Sequence, residues 1–406
     1  MKILCVLSRY AYGKPERGEN YDYVHFIPAL EGLGHEVSFF DSGDRALHSD
    51  FAGLNVALVA RIAEFRPDVI FCVLMHFEIW LDTLDLVRSQ SPALVINWGT
   101  DDSWKFRQAS RYFAAHVDMH VTTDVSAESA ALSLGLSNVF LSQWAASSDT
   151  LVEPLCASDC RYDVSFVGSL YGYRSEWISV LKSAEFEVSC FGHGTEHGVV
   201  DAADIPQIIR SSRISLNFSG AGHSVTAAHS AANRQIKART FEVPGAGGFL
   251  LTENAPGLDR YFVIEDEIAS FDSPTSLIDC VQYFLQNPEE RDRIARAGHA
   301  RTREDHTYEK RFFEILDKLP SVDSKRAAQA WSLSAEDLNG LVKKHRNIGY
   351  IRWIRSILLA LFVPIFGQRR GPRAARRLVY ELCWRIAGDK TFSAHGLPGR
   401  LFYAES

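Results

Sequence analysis

The sequence lacks the motifs that decide chemistry at sight. It has no GxxxxGK[ST] phosphate loop, no HExxH, no GxSxG elbow and no strict D-x-D metal motif, so P-loop, zincin and elbow-serine chemistry are set aside. The stretch Gly192-His-Gly194-Thr-Glu-His-Gly198 misses the dinucleotide spacing G-x-G-x-x-G by one residue. Cysteine is sparse: seven residues (5, 72, 156, 160, 190, 280, 383), odd in number and scattered. Cys156-x3-Cys160 has no second pair near it, so reduced thiols in a cytosolic protein are expected rather than a disulfide framework or a zinc site. Long hydrophobic runs are also missing. The longest, Ile357–Phe366, is broken by Pro364, whereas a bilayer span takes about 20 apolar residues. At the N-terminus the apolar run Ile3–Leu7 is too short for a signal peptide and has no small-residue cleavage site; it reads as a buried first strand.

The 406 residues that are present, 46% hydrophobic and 23% charged, have globular composition. Their number suits two domains with an appendage. The formal net charge of −7 conceals an asymmetry. Residues 341–390 hold twelve Lys/Arg against Glu381 and Asp389; since 391–406 balance to zero, the first 340 residues carry −17. An acidic body with a basic tail points to a tail that meets an anionic surface.

Hydrophobic patterning divides the chain as 1–145, a linker at 146–162, a second block at 163–320 and a basic helical extension at 321–406. In the first block, short apolar strands (Ile3–Leu7, Val37–Phe40, Val69–Leu74, Leu94–Trp98, Met119–Thr122) alternate with helical stretches ending at signals such as Gly34 and Pro67. The second block repeats the alternation, with strands expected at Val164–Val167, Phe186–Phe191, Ile214–Asn217 and Phe249–Thr252. Such alternation predicts α/β domains with parallel sheets, whose ligands lie at the carboxyl ends of the strands.

The densest chemistry lies in Gln235-Ile-Lys237-Ala-Arg239-Thr-Phe241-Glu242-Val-Pro-Gly245-Ala-Gly247-Gly248-Phe249. The pattern predicts a short helix carrying Lys237, Arg239 and Glu242, then a glycine-rich turn, then a buried strand. The two cations can neutralise a diphosphate, the glycines allow close backbone approach to an anion, and Glu242 can accept hydrogen bonds from a ribose. A solvated helix followed by an ordinary turn is the competing reading.

This stretch resembles the donor-binding segment of glycosyltransferases with two facing Rossmann-like domains, the GT-B architecture. It is most similar to the CgeB-like, spore-maturation-type branch. The similarity continues through Pro256-Gly257-Leu258, Asn287-Pro288-Glu289-Glu290-Arg291 and His306-Thr307-Tyr308, and reaches upstream to Phe166-Val-Gly168-Ser and Arg174. The resemblance implies that the second domain binds a nucleotide-sugar through Gly168, Arg174, Lys237, Arg239, Glu242, Gly247 and Gly248, with the acceptor on the first. Glu242 falls at the second glutamate of the retaining E-x7-E pattern, while the first would fall on Arg234, a departure that leaves retaining and inverting outcomes both open. No cofactor beyond the nucleotide-sugar co-substrate and no metal is expected, because cations can stabilise the departing diphosphate.

An inverting enzyme also needs a general base. Asp102 and Asp101 follow the fourth strand, and His76 follows the third beside Glu78. A helix N-cap and a partly buried histidine are the alternatives. In the tail, candidate helices at 348–366 and 373–386 combine apolar faces with arginines. They suit peripheral contact with a membrane surface through 341–390, or packing on the body. Nucleic acid is not an expected partner of an acidic body. The expectation is therefore a cytoplasmic, metal-independent glycosyltransferase at the inner face of the membrane, acting on a cell-envelope glycan or lipid-linked saccharide. A non-catalytic nucleotide- or glycan-binding module and a nucleotide-sugar epimerase are the alternatives.

Overall fold

In a computed structural model of the chain, the described residues are 1–74, 76–170, 172–220, 234–321, 326, 331–349 and 351–406. They form two compact units. One comprises Met1–Thr122, Ala127–Leu141 and Ile315–Ser406; the other comprises Thr123–Ser126 and Ser142–Glu314.

The first unit is built on a six-stranded sheet of order β2-β1-β3-β4-β5-β6. Its strands are β1 (Lys2–Leu7), β2 (Glu36–Asp41), β3 (Val69–Cys72), β4 (Leu94–Gly99), β5 (Met119–Thr122) and β6 (Val139–Leu141). Every pairing is parallel. The connecting helices include α1 (Tyr21–Gly32), α2 (Phe51–Phe65), α3 (Leu81–Gln90), α4 (Asp102–Lys105), α5 (Arg111–Ala114) and α6 (Val125–Ser133). A π-turn over Phe106–Ser110 separates α4 from α5. Local chemistry sets the boundaries. Asp50 caps α2 by accepting from Gly53 N–H at 2.7 Å, and α2 ends at Arg66 in the left-handed conformation, just ahead of Pro67.

The second unit has a five-stranded sheet, β11-β10-β9-β7-β8, all of whose pairings are parallel. Its strands are β7 (Tyr162–Val167), β8 (Val188–Phe191), β9 (Ser212–Asn217), β10 (Leu250–Glu253) and β11 (Ala269–Phe271). Helices α7 (Arg174–Ser183), α8 (Ile205–Arg210), α9 (Arg239–Gly245), α10 (Pro274–Gln286), α11 (Pro288–Asp305) and α12 (Tyr308–Asp317) surround it. A capping box between Ser273 and Ser276, with Pro274 at the first helical position, starts α10. Strands β6 and β11 have only three residues each, too few for a period to emerge from the sequence.

The C-terminal residues pack within the first unit. Leu333, Leu338, Tyr380, Trp384 and Phe392 share one buried cluster with Leu4, Val6, Phe51, Phe77 and Trp80. Arg326 reinforces the attachment by reaching Asp118 at 2.6 Å. Helix α13 (Asn339–Arg346) leads to α14 (Arg352–Ala387), which is broken at Gly367 (φ 78°, ψ 169°), and then to α15 (Leu397–Leu401). Tyr350, inside the expected helix 348–366, lies outside the described residues. Gly371 approaches the backbone of Val363 so closely that a Cβ would stand 2.7 Å from the Val363 Cα.

Each arm of α14 buries one side and exposes another. Its first arm packs through Ile351, Ile354, Leu358 and Phe362, while Leu361 and Ile365 point outward. In the second arm Leu378, Leu382 and Ile386 are exposed, and Ala375, Val379, Tyr380 and Trp384 are buried. Burial follows the aromatic and small residues that fit the body, rather than the face with most aliphatics.

Candidate functional site

In the second unit the polar centre sits at the carboxyl end of the sheet, around Glu253, the last residue of β10. Its side chain is 1% exposed. One oxygen accepts from the Tyr173 hydroxyl at 2.7 Å, from Ser219 N–H at 2.9 Å and from the Ser219 hydroxyl at 3.0 Å. The other faces the Arg234 Nε at 3.1 Å, in an ion pair whose angle is too poor for a hydrogen bond. Arg234 also donates to the Asp272 carbonyl at 3.2 Å. Burial and the adjacent Glu253 hold the Tyr173 hydroxyl far above the ordinary phenol range, so it serves as a donor. A buried carboxylate requires such partners.

Helix α9 is anchored at its start by Asn217, whose amide donates to Thr240 Oγ1 at 3.2 Å and Thr252 Oγ1 at 3.0 Å, and by the fully buried Phe241. This leaves Arg239 and Glu242 half-buried on the helix, where they pair at 3.3 Å, one turn apart. Among the described residues, Arg239 Nη1 is buried without a hydrogen-bond partner. Lys237 lies just before the helix, not on it, because α9 begins at Arg239. Gly168 follows β7. Its N–H donates to the Phe191 carbonyl at 2.7 Å, and Gly192 (φ +136°) backs directly onto its carbonyl, where no side chain fits. Arg174, at the start of α7, donates to the Ser169 carbonyl at 3.2 Å and lies over the Phe166 ring.

Gly247 and Gly248 are separated from this group. They follow α9 at the amino end of β10, buried against Val152–Pro154 and Ile209. Their N–H groups donate to the Pro244 and Val243 carbonyls. Gly247 (φ +73°) closes the helix and lets the chain enter β10. That structural duty explains the glycine-rich turn without an anion.

In the first unit, Asp102 is buried at the start of α4. Its carboxylate contacts His120 Nε2 at 2.9 Å and accepts from Ser110 Oγ at 2.5 Å. Asn97 continues the network to the other His120 nitrogen at 3.2 Å. Burial alone would raise Asp102, but the charge and hydrogen bond of His120, with the hydrogen bonds of Ser110 and Thr122, hold it below the usual carboxylate range. Asp101, the residue before α4, is half-buried and its side chain makes no capping bond. Burial, with Lys105, Arg376 and Arg45 nearby, pushes His76 well below the ordinary imidazole range, and its ring lies 5.8 Å from that of Tyr380.

Two groups at this edge were missed by sequence reasoning. Asp22, in the first turn of α1, is raised to about 7 by burial and by Asp101, against the pull of Lys105. Lys105 is lowered by burial while Asp101, Glu78 and Asp102 oppose the shift. Neither residue falls in a motif that the sequence singles out. In the second unit Glu253 was missed too, although its place directly after an apolar strand was a usable signal. Among the described residues, no group of three or more His, Cys, Asp or Glu could hold a metal ion, and no helix is long and apolar enough to cross a membrane.

Residues 157–317 match a protein family described as glycosyl transferase-like. No curated protein matches the chain in sequence. Among solved structures, the chain is similar to sucrose-phosphate synthase from Thermosynechococcus elongatus (12% identity, TM-score 0.54, 78% of this chain and 98% of that one). It is also similar to Anabaena HepE in complex with UDP-glucose (12%, TM-score 0.53, 79% and 99%), and to a glycosyltransferase from Rickettsia africae (10%, TM-score 0.55, 81% and 99%). These likenesses show the fold: two parallel-sheet α/β domains of the GT-B kind with a helical C-terminal region.

Proposed function

We propose that the protein is a glycosyltransferase of the CgeB-like branch, which moves a sugar from a nucleotide-sugar, without a metal, onto a saccharide or lipid-linked acceptor of the cell envelope at the cytoplasmic face of the membrane. The observation that carries this reading is the Arg239–Glu242 pair, with its buried, unpartnered Arg239 Nη1, inside the segment that matches the glycosyl transferase-like family. UDP and UDP-glucose are bound by the Anabaena relative of the same fold, which supports a nucleotide-sugar donor.

The second unit binds the donor. Lys237 and Arg239 face the diphosphate, and Glu242 accepts from the ribose hydroxyls. As the glycosidic bond breaks, the electron pair stays on the leaving phosphate oxygen, whose charge the two cations stabilise. The acceptor hydroxyl lies on the first unit, and its proton passes to Asp101. Asp101 is the better candidate base because Asp102 is committed to His120 and Ser110. His76 is the remaining candidate, held in the neutral form that can accept a proton.

Contact with the membrane is made by the outer face of α14. Trp353, Ile357, Leu361 and Ile365 repeat every fourth residue and are 60%, 49%, 57% and 73% exposed. Arg352, Arg369, Arg370, Arg373 and Arg377 are exposed on the same element. An apolar stripe with cations suits the interface of an anionic bilayer.

Incubation with UDP-, GDP- and dTDP-sugars and saccharide acceptors, followed by product analysis, tests the reading. A new glycosidic product supports it. Conversion of the donor without acceptor would indicate an epimerase. The Arg234–Glu253 pair, standing where the retaining pattern has a glutamate, favours a second reading as a binding module, which would show donor binding and no turnover.

A further inference from the structure

A second cation-rich site lies in the first unit. Arg107, Arg111, Tyr112, Trp384, Arg385 and Gly388 line a cleft of about 590 Å³. One wall is the π-turn and α5; the other is the end of α14. Arg107 and Arg111 stand four residues apart, so both project from the same side of their segment.

These arginines are held mainly by aromatic rings. The Arg107 guanidinium lies 5.6 Å from the Trp384 ring, and that of Arg385 lies 4.3 Å from it. Arg111 lies 4.6 Å from the Tyr112 ring and donates to the Tyr112 hydroxyl at 2.6 Å. That hydroxyl in turn donates to the Trp384 carbonyl at 3.4 Å. Trp384 is 4% exposed, and its indole N–H is fixed on Glu381 at 3.0 Å, so the central ring is rigidly set. Ring contacts orient a guanidinium without using its N–H donors. Among the described residues only Arg385 has a carboxylate partner, Glu381. Among the described residues Arg111 Nε is buried with no hydrogen-bond partner. At Gly388 (φ +58°) the chain turns in the left-handed conformation beside the Tyr112 ring.

Three guanidinium groups, of which only Arg385 is paired with a carboxylate among the described residues, in a body that is acidic overall, form a preset receptor for an oxyanion. Planar forks of this kind match phosphate geometry. We propose that this cleft binds a phosphate group, either the headgroup of an anionic lipid or a soluble phosphate ester. The site is independent of the donor diphosphate, which belongs to the second unit. The volume exceeds that of a bare phosphate, which leaves room for the esterified group.

The test uses the full chain. Inorganic phosphate is titrated into the wild type and into R107Q, R111Q and the double variant, with phosphorus NMR line broadening as the readout; thermal unfolding checks each fold. R107Q alters an exposed side chain, so it keeps the test valid if R111Q fails to fold. Saturable binding that weakens ~10-fold or more in a folded variant is expected, as for loss of a charge-assisted contact. Two vesicle arms assign the source: phosphatidylcholine alone, and phosphatidylcholine with phosphatidylglycerol. If the anionic vesicles bind the wild type, lose affinity for R107Q and are displaced by phosphate, the ligand is a lipid headgroup. If R107Q loses phosphate binding while vesicle binding is unchanged, it is a soluble ester. No saturable phosphate binding, or equal binding by wild type and folded R107Q, overturns the proposal.

Discussion

Arg234 faces Glu253 at 3.1 Å, with the two side chains 12% and 1% exposed. The pair joins the end of β10 to Arg234, which precedes the segment of α9. Glu253 also holds Tyr173 and Ser219, so this carboxylate organises the carboxyl edge of the sheet. E253A leaves Arg234 without its counter-ion, and is expected to cost about 3–5 kcal/mol of stability, the range for breaking a buried pair from one side. Urea denaturation monitored by circular dichroism measures it; a loss under 1 kcal/mol would show that the network is not cooperative.

Asp102 and Asp101 are adjacent in sequence but differ in role. D102N disrupts a fully buried contact with His120 and is expected to lower stability by about 2–4 kcal/mol. D101N removes a charge that faces the buried Lys105 and is expected to cost less stability than D102N, while reducing turnover by about 10²–10⁴-fold, the usual contribution of a general base. Parallel thermal melts and initial rates separate the two; the reverse pattern would assign the base to Asp102.

The ionisation of Asp22 gives stability a pH dependence of defined sign. Its pKa rises from 3.8 to about 7 on folding. Between those values the folded chain binds more protons than the unfolded chain, so this group makes stability fall as pH rises. His306 acts oppositely. Burial and Arg311 lower it from 6.5 to about 4, so its contribution is lost as pH falls through that window. D22N is expected to be more stable than wild type at pH 8, by about 1–3 kcal/mol, and equal to it near pH 4. Denaturation curves at both pH values check this; a pH-independent difference contradicts it.

The apolar stripe on α14 predicts membrane affinity that can be removed. W353S/L361S is expected to abolish flotation with phosphatidylglycerol-containing vesicles while leaving the melting temperature unchanged, because both side chains are already exposed. Flotation equal to wild type would assign the face to another partner.

Much of the fold was legible because both sheets contain short, mostly apolar strands such as Ile3–Leu7 and Phe249–Thr252, and because Pro67, Gly34 and Pro288 punctuate the helices. The site was legible only in part. Arg239 and Glu242 are one helical turn apart in sequence and meet in space. Gly247 and Gly248 looked like an anion cradle, but a glycine required by crowding against Val152–Pro154 has the same letter as one that opens to a ligand. Asp22 acquires its character from Asp101 and Lys105, distant in the chain, which no local pattern reports.

Calorimetric titration of the wild type, K237A and E242A with UDP, GDP, dTDP and their sugars tests the central claim most directly. The account predicts saturable binding of at least one of these to the wild type, weakened about 5- to 150-fold in each variant, with unchanged melting temperatures. Absence of binding by every nucleotide, or equal affinity in all three proteins, would contradict it.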